Sequence, residues 1–126
     1  MIHGIGVDIL HCDRIQHRDD DWSDPFINKT YTQRELAEGR NSANPKRWFA
    51  ERFAAKEAVF KTLGISCEHI RWSDIEVLTD AVGKPVVTLY GAVLDEVRRI
   101  NGRIHLSLSE DIGVTIAFAV CETVSD

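Results

Sequence analysis

The chain has 126 residues, 44% of them apolar, which is enough for one globular domain with a hydrophobic core of its own. Its formal net charge of -5 argues against nonspecific binding to nucleic acid, which requires a basic face. No apolar run approaches the ~18 residues that cross a bilayer, and the N-terminus lacks the pattern of a signal peptide. We therefore expect a cytoplasmic protein with no membrane segment.

The cysteines predict reduced thiols. Cys12, Cys67 and Cys121 are odd in number and share no metal-ligand spacing. The five histidines are scattered without an HxxxH or comparable pattern, so the sequence does not indicate a histidine metal site.

A period-two pattern predicts the first strand, from Ile2 to Leu10. One face is apolar and consists of Ile5, Val7 and Ile9. The other face, which we call the glycine face, carries Gly4, Gly6 and Asp8. Glycines inside a strand allow another backbone or a ligand to come close, so we expect the glycine face to pack tightly. Alternatively, Asp8 would be a turn or cap residue for a following helix.

The next region is helical in parts. Residues 11–27 predict a loop or a frayed helix, because the acidic, turn-like stretch from Asp19 to Pro25 lies within them. Thr32 and Glu35 form a capping box, which predicts a helix running to about Glu38. A loop from Gly39 to Pro45 follows.

A long central helix is predicted between Pro45 and Gly64. One side of the helix is an arc of aromatic and aliphatic residues: Phe49, Phe53, Val59, Phe60 and Leu63. A second side is an alanine ridge of Ala50, Ala54 and Ala58. The solvated side is narrow and contains Arg47, Glu51 and Thr62. Glu57 and Lys61 point between the arc and the ridge, so both should be partly buried. The ridge is the natural surface for the glycine face of the first strand, and this packing would bring Asp8 and Glu57 together.

Two adjoining carboxylates in a partly dry site require a proton or a cation between them. Two protein oxygens with open positions for water and phosphate are typical of Mg²⁺. The alternative is a structural ion pair between Glu57 and Lys61, four residues apart on the helix. The pattern alone leaves the two interpretations open.

The remaining elements complete an α+β fold. A hairpin of strands at Asp74–Asp80 and Val86–Tyr90 precedes a short helix from Ala92 to Ile100. Two further strands, Arg103–Ser109 and Val114–Cys121, are joined by a tight turn. The predicted fold is a single domain, residues 1–126, with a largely antiparallel sheet packed on one long central helix.

These residues also resemble a known family. Four segments, in this order, are similar to the holo-acyl-carrier-protein synthases, the small 4'-phosphopantetheinyl transferases: Gly4–Ile9, Arg52–Ala58 with Lys61 and Gly64, Asp74–Val77 followed by Gly83–Lys84–Pro85, and Ile104–Ser109. The GxD strand and the KExxxK helix together carry the resemblance, which covers nearly the whole chain.

The resemblance implies transfer of the phosphopantetheine arm of coenzyme A to a serine of an apo acyl carrier protein or carrier domain, releasing adenosine 3',5'-bisphosphate. It implies that Asp8 and Glu57 bind Mg²⁺ and that Lys61 lies near the phosphates, where an ammonium stabilises developing charge. The base that deprotonates the serine is Glu57 or a metal-bound water. Further matches to the family's coenzyme A site are Arg52, Gly64, Gly83, Lys84, Pro85 and His105.

The resemblance further implies a homotrimer with sites between neighbouring chains, one of which His105 would serve. Without the family, His105 reads as a hydrogen-bonded surface residue. The main alternative function is a non-catalytic coenzyme A-binding or carrier-binding member of the same fold. A different Mg²⁺-dependent nucleotide enzyme lacks support, because the sequence has no P-loop or Rossmann glycine pattern.

The chain departs from the family at two places. Glu110 stands where a histidine usually follows the serine of the last motif, so we expect Glu110 to turn away or the local site to differ. The acidic stretch from Asp19 to Asp24 follows Arg14 and Arg18, whereas family members commonly present a basic helix to an acidic carrier. Like charges weaken docking, so a less acidic carrier than that of fatty-acid biosynthesis becomes a hypothesis.

Overall fold

The computed structural model of the protein describes residues 1–14 and 24–125, and the structural statements below concern those ranges. In chain order its elements are β1 (Ile2–His11), α1 (Pro25–Thr30), α2 (Gln33–Arg40), α3 (Pro45–Lys61), β2 (Ile75–Thr79), β3 (Pro85–Leu89), α4 (Gly91–Arg99), β4 (Gly102–Asp111) and β5 (Val114–Thr123). The predicted α+β class is confirmed. Of the predicted loop or frayed helix at residues 11–27, residues 15–23 lie outside the described ranges.

The strands form two separate antiparallel sheets rather than one. The main sheet has the order β1-β5-β4, and β2 pairs with β3 as the predicted hairpin. Helix α3 packs across β1 and β5 and also contacts β2, so it lies between the two sheets. The second sheet thus contacts the first through α3 and also directly, where β3 approaches β4.

Local signals set the helix ends where the sequence predicts them. Thr32 and Glu35 form the expected capping box at the start of α2. The side chain of Asn44 caps α3, whose first residue is Pro45. Gly64 follows the last turn of α3 with a φ of 68°, a left-handed conformation that glycine adopts at little cost.

The glycine face of β1 packs on α3 as predicted. A Cβ on Gly6 would lie 2.0 Å from the carbonyl oxygen of Ala58, and one on Gly4 would lie 2.1 Å from that of Thr62. Ala117 of β5 is fully buried on the same side. Thr62 was expected on the solvated side of the helix, but it is 2% exposed because the backbone of β1 covers it. That prediction was wrong.

The opposite, outer face of the main sheet carries large apolar side chains. Cross-strand neighbours on this face are Ile5 with Val120, Val7 with Phe118, and Ile9 with Ile116. Val7 is 55% exposed and Phe118 is 45% exposed. Exposed apolar surfaces of this kind are typical of interaction sites. We call it the outer sheet face.

Cys12, Cys67 and Cys121 are free cysteines. Within residues 1–14 and 24–125, no helix is both long enough and apolar enough to span a bilayer.

Candidate active site

Asp8 and Glu57 meet at one edge of the main sheet. Asp8 lies in the middle of β1, on the face that packs against α3, so it is not a turn or cap residue. Both carboxylates line a cleft of about 440 Å³, which we call the carboxylate cleft. Its lining residues are Asp8, Ile9, Leu10, Arg14, Phe26, Phe53 and Glu57. The close packing of the glycine face on α3 is what brings the two acids together.

The environment of Glu57 favours its protonated form unless a cation is near. Burial raises the pKa of the Glu57 carboxyl, and the charge of Asp8 and a hydrogen bond with Asp8 raise it further, while Lys61 opposes them. The side chain of Glu57 is half-buried, as predicted. A cation between the carboxylates would relieve this repulsion.

Lys61 pairs with Asp8 and not with Glu57. Its Nζ lies 3.4 Å from Oδ1 of Asp8 and donates a hydrogen bond of 2.9 Å to the carbonyl oxygen of Val7. Its side chain is 48% exposed, more than the helix pattern predicts. Within the described ranges, Glu57 and Lys61 do not form the ion pair considered as the structural alternative.

The donor set of the carboxylate cleft fits a magnesium ion that shares its coordination with water and phosphate. No group of three or more His, Cys, Asp or Glu side chains in the described part of the chain is placed to hold a metal. Asp8 and Glu57 offer two carboxylates, and Mg²⁺ usually takes one or two from a protein when phosphate completes its shell. Burial, and after it the charge of Asp8, raises the pKa of Glu57, so a bound cation would favour the charged form of this carboxyl.

A second cleft, of about 390 Å³, contains three of the other predicted site residues: Lys84, Pro85 and His105. We call it the hairpin cleft, because it lies between β3 and β4. Nε2 of His105 is 2.8 Å from Oε1 of Glu122, so His105 is a hydrogen-bonded, half-exposed residue in this chain. The two clefts have no lining residue in common.

Arg52 lies inside the protein rather than at either cleft. It is 5% exposed, and its guanidinium stacks on Trp48 at 4.5 Å from the ring centroid. It pairs with Glu51 at 3.1 Å and also contacts Thr79 and the Val77 carbonyl oxygen. Its hydrogen-bonding groups are therefore directed to the protein itself.

Gly64 and Gly83 are open to their surroundings. Both have positive φ angles, 68° and 85°, and a Cβ on either would meet no atom of the described residues within 4 Å. A ligand could therefore approach their backbones closely.

Glu110 turns away from His105. It lies near the far end of β4, where Oε2 is 3.7 Å from Nη1 of Arg47 and Oε1 accepts a hydrogen bond from the Gly113 amide. Its charge is directed to Arg47 and the β4–β5 turn. This is the first of the two outcomes that the sequence left open.

A buried acid–base pair next to the site was not anticipated. Lys56, the neighbour of Glu57 in α3, pairs with Glu35 of α2 at 2.7 Å, and both side chains are fully buried. Burial lowers the pKa of Lys56 and raises the pKa of Glu35, while the opposite charge of each partner counteracts both shifts. The sequence signal that could have indicated this pair is the position of Lys56 beside the aromatic arc of α3, where a charged side chain needs a buried partner.

Comparison with known proteins covers nearly the whole chain. A model of the 4'-phosphopantetheinyl transferase superfamily matches residues 4–117. The holo-[acyl-carrier-protein] synthase of Halothermothrix orenii is 43% identical over 124 residues, 97% of this chain and 98% of the relative. That of Natranaerobius thermophilus is 37% identical, over 95% of this chain and 97% of the relative. The chain belongs to this family.

Solved structures of holo-acyl-carrier-protein synthases share the fold. The structure of the Neisseria meningitidis enzyme matches with a TM-score of 0.83 and 34% sequence identity. The match covers 98% of this chain and 100% of the Neisseria chain. The Bacillus anthracis synthase, solved in complex with CoA (3',5'-ADP), has a TM-score of 0.78 and 30% identity, with 98% and 99% coverage. The fold and the family resemblance carried by the GxD strand and the KExxxK helix are thereby confirmed, and the chain is an enzyme of the holo-acyl-carrier-protein synthase type.

Proposed function

We propose that this protein transfers 4'-phosphopantetheine from coenzyme A to a serine of an apo acyl carrier protein, with Mg²⁺, releasing adenosine 3',5'-bisphosphate. The observation that supports it best is the meeting of Asp8 and Glu57 beside Lys61, in a chain similar to holo-acyl-carrier-protein synthases over nearly its full length. In this proposal residues 1–126 act as one transferase domain in the cytoplasm.

Asp8 and Glu57 would hold the Mg²⁺, which when bound neutralises charge on the pyrophosphate of coenzyme A. Lys61 is half-exposed beside Asp8, so its ammonium can offset negative charge that develops on the leaving group. Phosphoryl transfer requires mainly positioning and charge neutralisation, which these three side chains supply. Glu57 is also a candidate to accept the serine proton, as the family resemblance implies.

We propose that the nucleotide end of coenzyme A binds in the hairpin cleft of a neighbouring chain, against Lys84, Pro85 and His105. The two clefts of one chain share no residue, and Asp8 and His105 lie on opposite faces of the main sheet. In this proposal a second copy of the chain completes each site. The homotrimer implied by the resemblance would provide it, with the outer sheet face as the apolar contact surface.

The remaining predicted contacts have unequal support. Gly64 and Gly83 leave room for coenzyme A to approach their backbones. Arg52 is engaged inside the protein, so its proposed role is to support the wall of the site near α3 and β2.

The carrier would approach the carboxylate cleft, where Arg14 lines the wall together with Phe26 and Phe53. The rings of Phe26 and Phe53 could pack against apolar side chains of a carrier helix, and the charge of Arg14 would attract acidic ones. Because the acidic stretch from Asp19 to Asp24 follows in sequence, we propose that a less acidic carrier, such as one of a polyketide or specialised lipid pathway, is preferred.

Mass spectrometry tests this function. Several apo carriers of differing acidity are incubated with coenzyme A, Mg²⁺ and the protein at two salt concentrations. We expect the mass of a phosphopantetheine arm on at least one carrier, abolition by a chelator, and abolition by Glu57→Gln without loss of the circular dichroism spectrum. Asp95→Asn, an exposed acid of α4, is the matched control and should transfer normally.

Coenzyme A binding without transfer to any carrier would support the non-catalytic alternative instead. Tight, salt-weakened binding to the most acidic carrier would refute the carrier preference while leaving the transferase function intact.

A further inference from the structure

The Lys56–Glu35 pair takes no part in the chemistry proposed above, although it lies directly behind the site. Both side chains are 0% exposed, and Nζ and Oε1 are 2.7 Å apart. Buried ion pairs of this kind are weak sources of stability, because desolvation offsets their attraction, and some are retained because they specify one arrangement.

Lys56 uses its ammonium to join three elements. A lysine has three N–H donors, and here they are directed to Glu35, to the Trp72 carbonyl oxygen at 3.1 Å and to the Ile75 carbonyl oxygen. Lys56 thereby ties α3 to α2 and to the backbone that leads into β2.

Glu35 is equally engaged. Oε1 also accepts a hydrogen bond of 2.9 Å from the Thr32 amide, and Oε2 accepts one of 2.9 Å from the Val77 amide. The carboxylate thus joins the start of α2 to β2. Together the pair fixes α3 against both elements, so the helix cannot rotate about its axis without breaking buried hydrogen bonds.

This constraint reaches the carboxylate cleft through two routes. Glu57 is the next residue of α3, about 100° around the helix from Lys56, so fixing one fixes the direction of the other. Phe53 and Phe60 lie one turn before and after Glu57, and both rings pack on Trp72, with centroids 5.9 and 5.5 Å away. Lys56 holds the backbone of that same tryptophan.

We propose that the Lys56–Glu35 pair is a positioning device that fixes the rotation of α3 and the aromatic wall around Glu57, and so holds Glu57 in the direction needed to bind Mg²⁺ with Asp8. The inference rests on the proposed function for its consequence in catalysis. Its structural part, the orientation of a metal-binding carboxylate, can be measured separately.

The test is the double variant Glu35→Leu/Lys56→Met, which removes both charges and fills the space with apolar side chains, so that no buried charge is left unpaired. Mg²⁺ binding is measured by calorimetry in the presence of coenzyme A, and transfer by steady-state kinetics. We expect at least tenfold weaker Mg²⁺ binding, and a kcat lowered by about 10²-fold with the KM for coenzyme A little changed, since a displacement of about 1 Å can have that effect. Lys46→Met, which removes an ion pair with Asp13 at the start of the same helix, is the control and should match the wild type.

A folded double variant that binds Mg²⁺ as tightly as the wild type would overturn the proposal, whatever its kcat. If the double variant does not fold, Glu35→Gln replaces it and is judged by the same Mg²⁺ affinity. If the wild type binds Mg²⁺ but transfers nothing, the proposed function fails, while weaker Mg²⁺ binding by the variant still supports the positioning role.

Discussion

At the residue scale, the absence of side chains at Gly4 and Gly6 is what builds the site. Gly6→Ala would place a Cβ 2.0 Å from the Ala58 carbonyl oxygen, so β1 would have to move away from α3. Asp8 is two residues further along β1 and would move with it. We expect a loss of roughly 1–3 kcal/mol in the free energy of unfolding, measured by denaturant titration, and a marked loss of transfer, measured by mass spectrometry.

Ile2→Ala is the control for this substitution, because Ile2 is an exposed residue at the opposite end of the same strand from the cleft. A Gly6→Ala protein with wild-type transfer would show that close packing on α3 does not position Asp8.

Of the contacts made by Asp8, Glu57 and Lys61, some could be predicted from the sequence and others could not. The convergence of Asp8 with Glu57 could be predicted, because a glycine face and an alanine ridge have one natural way to pack. The partner of Lys61 could not, since it depends on the offset of α3 along β1, which places the ammonium over Val7 and Asp8. That offset is a tertiary property with no local signal.

At the element scale, the cap of α2 also serves the second sheet. The Thr32 hydroxyl accepts from the Glu35 amide at 3.1 Å and donates to Oε2 of the buried Glu76 at 2.7 Å. Thr32→Ala would remove a cap worth about 1 kcal/mol and leave an acceptor with one partner fewer, at a cost of about 1–3 kcal/mol. We expect a lower midpoint of urea unfolding than the wild type shows.

Thr32→Ser keeps the hydroxyl and should unfold near the wild-type midpoint. Equal midpoints for the alanine and serine variants would mean that the methyl group, and not the hydrogen bonds, is the important feature of Thr32.

Most elements could be predicted because their signals are local: the capping box, the proline at the start of α3 and the alternation in β1, β4 and β5. Two element-level features could not. The strands form two sheets because β3 approaches β4 without pairing with it, while β2 packs on α3. The orientation of β5 was also hidden, because its large residues face outward and its alanines face the helix, the reverse of ordinary apolar burial.

At the scale of the whole molecule, the outer sheet face and the two clefts have the same implication. The outer sheet face is exposed in a single chain. Asp8 and His105, which are proposed to serve one reaction, lie on opposite faces of the main sheet. The family resemblance indicated an oligomer, whereas composition and periodicity carried no signal for it. The outer sheet face is the apolar surface on which the proposed association would take place.

The separation of the two clefts has a consequence for mixed populations. Suppose that every site takes Glu57 from one chain and His105 from its neighbour. A trimer made only of Glu57→Gln chains then has no intact site, and neither has a trimer made only of His105→Ala chains. In a cyclic trimer that contains both, one interface joins the two intact halves. Refolding equal amounts of the two inactive proteins together should restore transfer to about a quarter of the wild-type rate for random mixing into trimers. Such complementation between two defective copies would be absent if each chain held a complete site.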